Sequence, residues 1–126
     1  MTTHAANRSG RSLAEEAMGY IRRNSEKKFS LSEIAGSLYI NRNYLARLFR
    51  KETGHTLLWY HNAVRCEKAG ELLRQREMSI SEIGEAVGYL SSAHFSHVFR
   101  KMTGLSPSEF RDNPSETCVA ELRDIR

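Results

Sequence analysis

Arg42, Asn43, Arg47, Arg50 and Lys51 fall within ten residues, interleaved with Tyr44, Leu45, Leu48 and Phe49. Residues three and four apart share a helix face. The stretch therefore divides into an apolar face of Tyr44, Leu45, Leu48 and Phe49 and a polar face of Arg42, Asn43, Ala46, Arg47 and Arg50. The polar set has a definite chemistry. A guanidinium fork matches the O6 and N7 acceptors of guanine, and a carboxamide matches the N6 and N7 edge of adenine. Fifty positions on, the pattern returns with weaker groups. There Phe95, Val98, Phe99 and Met102 form the core stripe, and Ser91, Ser92, Ser96, His97 and Arg100 are left outside. Arg42, Asn43 and Arg47 are the strong candidates for reading bases. Ser91, Ser92, Ser96 and His97 would read fewer bases, work through water or grip the backbone. Arg50, Lys51, Arg100 and Lys101 end their helices, where cations complement the helix dipole and equally suit phosphate.

These residues are positioned by a duplication. Phe29-Ser30-Leu31-Ser32-Glu33-Ile34 returns as Met78-Ser79-Ile80-Ser81-Glu82-Ile83, an offset of 49, and Leu48-Phe49-Arg50-Lys51-Glu52-Thr53-Gly54 returns as Val98-Phe99-Arg100-Lys101-Met102-Thr103-Gly104, an offset of 50. One residue has been inserted between the two segments in the later copy. Ser30 with Glu33 and Ser79 with Glu82 have capping-box spacing, flanked by the staples Phe29/Ile34 and Met78/Ile83. Leu31, Ile34, Ala35 and Leu38 supply one buried face; Ile80, Ile83, Gly84 and Val87 supply the other. Tyr39-Ile40 and Gly88-Tyr89 make the turns, Asn41 caps the next helix, and Gly54 supplies a left-handed stop. Each copy thus outlines a helix-turn-helix, whose second helix presents its N-terminal part to base edges in the major groove. The capped starts at Ser30, Ser32, Ser79 and Ser81 also have amide hydrogens to offer phosphate.

The connecting segments complete an all-α expectation. Ser12 begins a first helix with Glu15 closing its box; Ala14, Ala17, Met18 and Ile21 form the buried stripe, and Asn24 ends it. Thr56 opens the longest helix, running to about Gln75, with Leu57, Tyr60, Val64, Leu72 and Leu73 inward and Ala69 allowing close approach. Gly70 inside it costs about 1 kcal/mol relative to alanine. Arg65 and Lys68 on this helix are candidate phosphate contacts, with an internal salt bridge as the alternative for Arg65. Ser106, Pro107 and Glu109 start a last short helix, which Asn113-Pro114 ends. The expected organisation is a flexible start over 1–11 and one domain over 12–112, followed by a loosely held tail over 113–126. Within the domain the first helix-turn-helix spans about 30–54, the linker helix about 56–75, the second helix-turn-helix about 79–104 and the last helix about 106–112. Two such motifs on one face of a duplex sit roughly 34 Å apart, and a 20-residue helix is roughly 30 Å long. A monomeric unit could read two consecutive groove segments of double-stranded DNA without a palindrome.

Composition narrows the alternatives. Across 126 residues, 40% hydrophobic and 27% charged, two prolines and no alternating β-branched run leave no place for a sheet. The formal charge of +4 suits a polyanion without proving one. Cys66 and Cys118 lack a CxxC spacing, so a reducing, cytoplasmic compartment is expected. No run approaches the roughly 20 apolar residues of a membrane span. His94 and His97 lie three apart, and His55, His61 and Cys66 lie elsewhere, a poor set for metal or catalysis. No cofactor, no metal and no enzyme are expected. A protein-interaction adaptor is the competing reading, for which Trp59 would be an exposed anchor although partial burial is the expectation for it, and the salt dependence of DNA affinity separates the two.

Arg65-Cys66-Glu67-Lys68-Ala69-Gly70-Glu71-Leu72-Leu73, Ile83-Gly84-Glu85-Ala86-Val87-Gly88-Tyr89, His94-Phe95-Ser96-His97-Val98-Phe99-Arg100-Lys101 and Gly104-Leu105-Ser106-Pro107-Ser108-Glu109-Phe110-Arg111 resemble the signature of AraC/XylS transcription regulators. The resemblance runs from Leu13 to Arg111. Tyr44-Leu45-Ala46-Arg47-Leu48-Phe49-Arg50-Lys51-Glu52-Thr53-Gly54 looks most like the versions attached to bacterial response regulators. It implies a seven-helix, homeodomain-like DNA-binding domain of two helix-turn-helix subdomains joined by a long helix. It further implies a promoter-binding protein, usually an activator that contacts RNA polymerase. The chain departs from the family pattern at His97, where Arg or Lys is common, and at Leu90, often Asp or Asn, for which Ser91 would substitute as cap. Tyr39 replaces a frequent glycine, and His61 and Cys66 replace larger aliphatics. Most members carry a second domain for an effector or a phosphate. This sequence has no room for one, so it is either a short regulator or a fragment of a longer one.

Overall fold

The computed structural model describes residues 8–125, so the expected flexibility of residues 1–7 lies outside the described residues. Among the described residues seven α-helices follow in order: α1 Gly10–Arg23, α2 Leu31–Ser37, α3 Arg42–Thr53, α4 Leu57–Gln75, α5 Ile80–Ala86, α6 Ser92–Thr103 and α7 Pro107–Asp112. A 3-10 helix, Ala120–Ile125, is the last described element, and no strand occurs among the described residues. The chain folds as two compact units. One takes the chain up to Asn24 together with Phe29–His61; the other takes Ser25–Lys28 and everything from Asn62. The unbroken helix α4 contributes residues to both.

In the first unit, Leu13, Ala14, Ala17, Met18 and Ile21 of α1 are buried with Ile34, Ala35, Leu38, Leu45, Leu48 and Phe49. Helix α1 begins earlier than its sequence indicates. Ser9, not Ser12, is the cap, and its Oγ accepts the Ser12 N–H at 3.1 Å. Arg8, the residue before it, is also held, since its Nη1 pairs with Glu16 at 2.6 Å. Ser30 and Asn41 cap α2 and α3 as their positions require. The turn between these helices places Tyr39 at φ 61, where a side chain costs about 1–2 kcal/mol. The matching turn of the second unit uses Gly88 at φ 114, without that cost. Tyr44, expected in the apolar face, is exposed instead.

These turns locate the insertion. Ile40 N–H donates to the Ala35 carbonyl at 3.1 Å, and Tyr89 N–H donates to the Gly84 carbonyl at 2.9 Å. These are the same bond at an offset of 49, whereas the caps Asn41 and Ser91 lie at an offset of 50. Leu90 is therefore the extra residue.

The second unit is built on an aromatic row. Phe95, Phe99 and Phe110 stand 5.7 and 5.6 Å apart by ring centroid, and all three are buried with Ile83, Val87, Leu73 and Cys66. Ser79 and Ser106 each form a reciprocal capping box with Glu82 and Glu109. Leu72 and Met102 are half-buried rather than core. The largest departure from expectation is the tail. Val119 is wholly buried, and its N–H donates to the Glu67 carboxylate at 2.9 Å. Arg74 donates to the Ser115 and Glu116 carbonyls at 2.8 and 2.6 Å. The segment is docked rather than loose. It also explains Gly70, because a Cβ there would lie 2.0 Å from Cys118 Sγ. Burial pushes both thiols, Cys66 and Cys118, up to about 12, so they stay neutral and act as small apolar groups.

Candidate nucleic-acid interface

Each unit presents one recognition helix, and each helix has a buried anchoring face and an exposed face. In α3, Leu45, Leu48 and Phe49 anchor the helix to the core. That leaves Arg42, Asn43, Arg47, Arg50 and Lys51 exposed. The Asn41 Oδ1 accepts the Asn43 and Tyr44 N–H groups at 2.8 and 3.1 Å, so the amide end of the helix is satisfied by its own cap. Arg42 Nη1 donates to Ser32 Oγ at 3.2 Å, a long bond between exposed groups that a stronger acceptor can replace. Ser30 Oγ accepts the Glu33 N–H at 3.2 Å, so its side chain serves as a cap.

In α6, Phe95, Val98 and Phe99 anchor the helix. Ser92, Ala93, His94, His97, Arg100 and Lys101 are exposed, and Ser96 is half-buried. Ser91 is the cap, with its Oγ accepting the His94 N–H at 3.0 Å. Arg100 Nη1 pairs with Glu109 Oε1 at 3.2 Å, so a phosphate there would compete with a carboxylate. Ser79 Oγ accepts the Glu82 N–H at 3.1 Å, whereas Ser81 is simply exposed. The Glu82 and Glu109 carboxyls lie below their ordinary range, because the Ser79 and Ser106 backbone N–H groups donate to them.

Arg65 corrects one expectation. It is buried, with Nε on the Ser25 carbonyl at 2.6 Å and Nη2 on the Lys27 carbonyl at 2.8 Å, and its guanidinium lies 4.8 Å from the Tyr89 ring centre. A guanidinium enclosed in this way cannot reach a phosphate. Among the described residues it has no carboxylate partner; it ties the Ser25–Lys28 segment to α4. Tyr89, whose hydroxyl donates to Asn62 Oδ1 at 2.8 Å, has its acidity suppressed chiefly by burial. Lys68 bonds Ser25 Oγ from the exposed side of the same helix. Tyr44, Ala93 and His94 are surface residues of the recognition helices that the apolar-polar pattern missed. For Ala93 a signal existed, since it occupies the position of Asn43 fifty residues on.

Residues 34–113 match the family model described as a helix-turn-helix domain. A transcriptional regulator from Chromobacterium violaceum, described as having an AraC-type DNA-binding domain, superposes with a TM-score of 0.74 at 32% identity, over 82% of this chain and 95% of that one. The chain belongs to the AraC-type helix-turn-helix family. Another AraC-type relative, the C-terminal domain of the response regulator AraT from Geobacillus stearothermophilus, is 35% identical over 79% of this chain and 84% of that one, with a TM-score of 0.74. The DNA-binding domain of the global transcriptional factor AdpA, solved in complex with a target DNA, shares 25% identity over 79% of this chain and 89% of that one, with a TM-score of 0.71. The AraC-type family model stops at residue 113, so the docked tail lies beyond it. The chain spans only about a quarter of the length of the curated relatives it matches. No helix among the described residues is long and apolar enough to cross a membrane.

Proposed function

We propose that this chain is the DNA-binding unit of a bacterial transcription regulator. It inserts α3 and α6 into consecutive major-groove segments of a promoter as a monomer. The observation that carries the reading is the repeated exposed face. Two helices in the same register, each anchored by a buried apolar stripe, turn polar groups and two terminal cations to solvent. Arg42, Asn43 and Arg47 read bases directly, guanine through the arginines and adenine through the asparagine. Ser92 and His97 make weaker base contacts, with Ser91 and Ser96 supporting the helix. Arg50, Lys51 and Lys101 neutralise phosphates, and Arg100 joins them when it leaves Glu109. The exposed first turns at Ser32 and Ser81 add backbone contacts. The regulator works in the cytoplasm and activates by contact with RNA polymerase.

Selection of bound duplexes from a random pool, followed by titration of the selected site in rising salt, tests this reading. Phosphate neutralisation predicts a steep, log-linear fall in affinity, with a slope of about −0.9 per cation engaged. Lys101→Ala should weaken all duplexes alike and reduce that slope by about 1. Failure to bind any duplex at low salt would sink the reading.

A further inference from the structure

The two recognition helices differ most where they should be most alike. Leu45 matches Phe95 and Phe49 matches Phe99, so the anchors fix a common register. In that register the carboxamide of Asn43 is replaced by the methyl of Ala93, and both positions are exposed. The hydroxyl of Ser91 is occupied by the His94 N–H, and Ser96 is half-buried. Ahead of the terminal cations, the hydrogen-bonding side chains left exposed on this helix are Ser92, His94 and His97. One residue ahead of the cap stands Leu90, the extra residue of the second turn. Its exposure is 104%, while its neighbour Tyr89 is 4% exposed. The insertion therefore places a large apolar side chain wholly in water, where it adds nothing to the core of its own unit.

A single exposed leucine is ordinary on a protein surface. At the start of a recognition helix that also presents Ala93 and ends in Arg100 and Lys101, it has a specific complement. The major groove offers one apolar group, the C5 methyl of a pyrimidine, which apolar side chains contact. We propose that Leu90 and Ala93 make the second helix-turn-helix a reader of pyrimidine methyl groups, that is, of thymine in unmodified DNA. The two heads then divide the chemistry: α3 recognises hydrogen-bonding edges and α6 recognises methyls. This inference rests on the DNA-binding reading above and deepens it.

The test uses the whole chain and a duplex selected from a random pool, with each thymine replaced in turn by deoxyuridine, which lacks only the methyl. Removing one buried methyl should cost about fourfold in affinity. The comparison is the double variant Leu90→Ser/Ala93→Ser, whose two positions are exposed and outside the core. At one or more thymines the wild type should lose about fourfold, and the double variant should be indifferent. Equal losses in both proteins, or a selected site in which no thymine responds, overturns the proposal while leaving DNA binding intact. A response confined to 5-methylcytosine in place of cytosine overturns the assignment to thymine. Absence of binding to any duplex removes the DNA-binding reading and this inference together.

Discussion

Arg47 and Arg65 are the same residue type on two helices, and their surroundings give them opposite tasks. Arg47 is exposed beside Asn43 on the free face of α3. Arg47→Ala should weaken specific binding by about 1–3 kcal/mol and relax the base preference at one position, as read by competition with random DNA. Equal loss on specific and random duplexes would make it a phosphate contact. Arg65 is 7% exposed and holds two carbonyls. Arg65→Met leaves the Ser25 and Lys27 carbonyls without this donor, at a cost of about 2–4 kcal/mol in urea denaturation. The salt slope of DNA binding should not move. A flattened slope with unchanged stability would restore Arg65 to the phosphate set.

At the scale of elements, caps and one glycine carry the argument. Ser79 N–H donates to Glu82 Oε1 and Ser106 N–H to Glu109 Oε1, each at 2.8 Å, which holds both carboxyls below their ordinary range. A folded value below the unfolded one gives a contribution that is complete above the unfolded value and is lost as pH falls through the folded value. The thermal midpoint of the native chain should therefore drop relative to Glu82→Gln/Glu109→Gln between about pH 5 and pH 3. A difference that does not change with pH would show that the charged form is not what the caps use. Gly70 poses a packing question. Alanine gains about 1 kcal/mol of helix propensity, but its Cβ would meet Cys118 Sγ at 2.0 Å. Gly70→Ala should destabilise by about 1–3 kcal/mol, and Cys118→Ala in the same chain should recover much of the loss. Additive effects in that double-mutant cycle would refute the contact.

At the scale of the molecule, the chain does more than repeat a motif. After the second helix-turn-helix it returns along α4, burying Cys118 and Val119 and giving Arg74 two carbonyl acceptors. Ending the chain at Asn113 removes that burial and should cost about 2–4 kcal/mol in urea denaturation. An unchanged midpoint would mean that the segment merely rests on the surface. The first unit has its own closure, through Arg8 on Glu16 and Arg22 on the Tyr60 hydroxyl.

By itself the sequence determined the helices, the caps of α2, α3, α5 and α7 and the polar faces of α3 and α6, because helix periodicity, Ser/Glu spacing and glycine stops act over a few neighbours; the Ser12–Glu15 spacing misplaced the start of α1, which Ser9 caps. The duplication was legible for the same reason, as was the family to which its motifs point. Tertiary structure decided what periodicity cannot: which of two equivalent faces is covered. It turned Arg65 inward, because the carbonyls of Ser25 and Lys27, about 40 residues away, needed donors. It put Tyr44 outside and Val119 inside, and it gave Gly70 a reason in a sulfur atom 48 positions on. It also assigned the inserted residue. The change of offset said that one residue had been added, and the hydrogen bonds of Ile40 and Tyr89 identified Leu90.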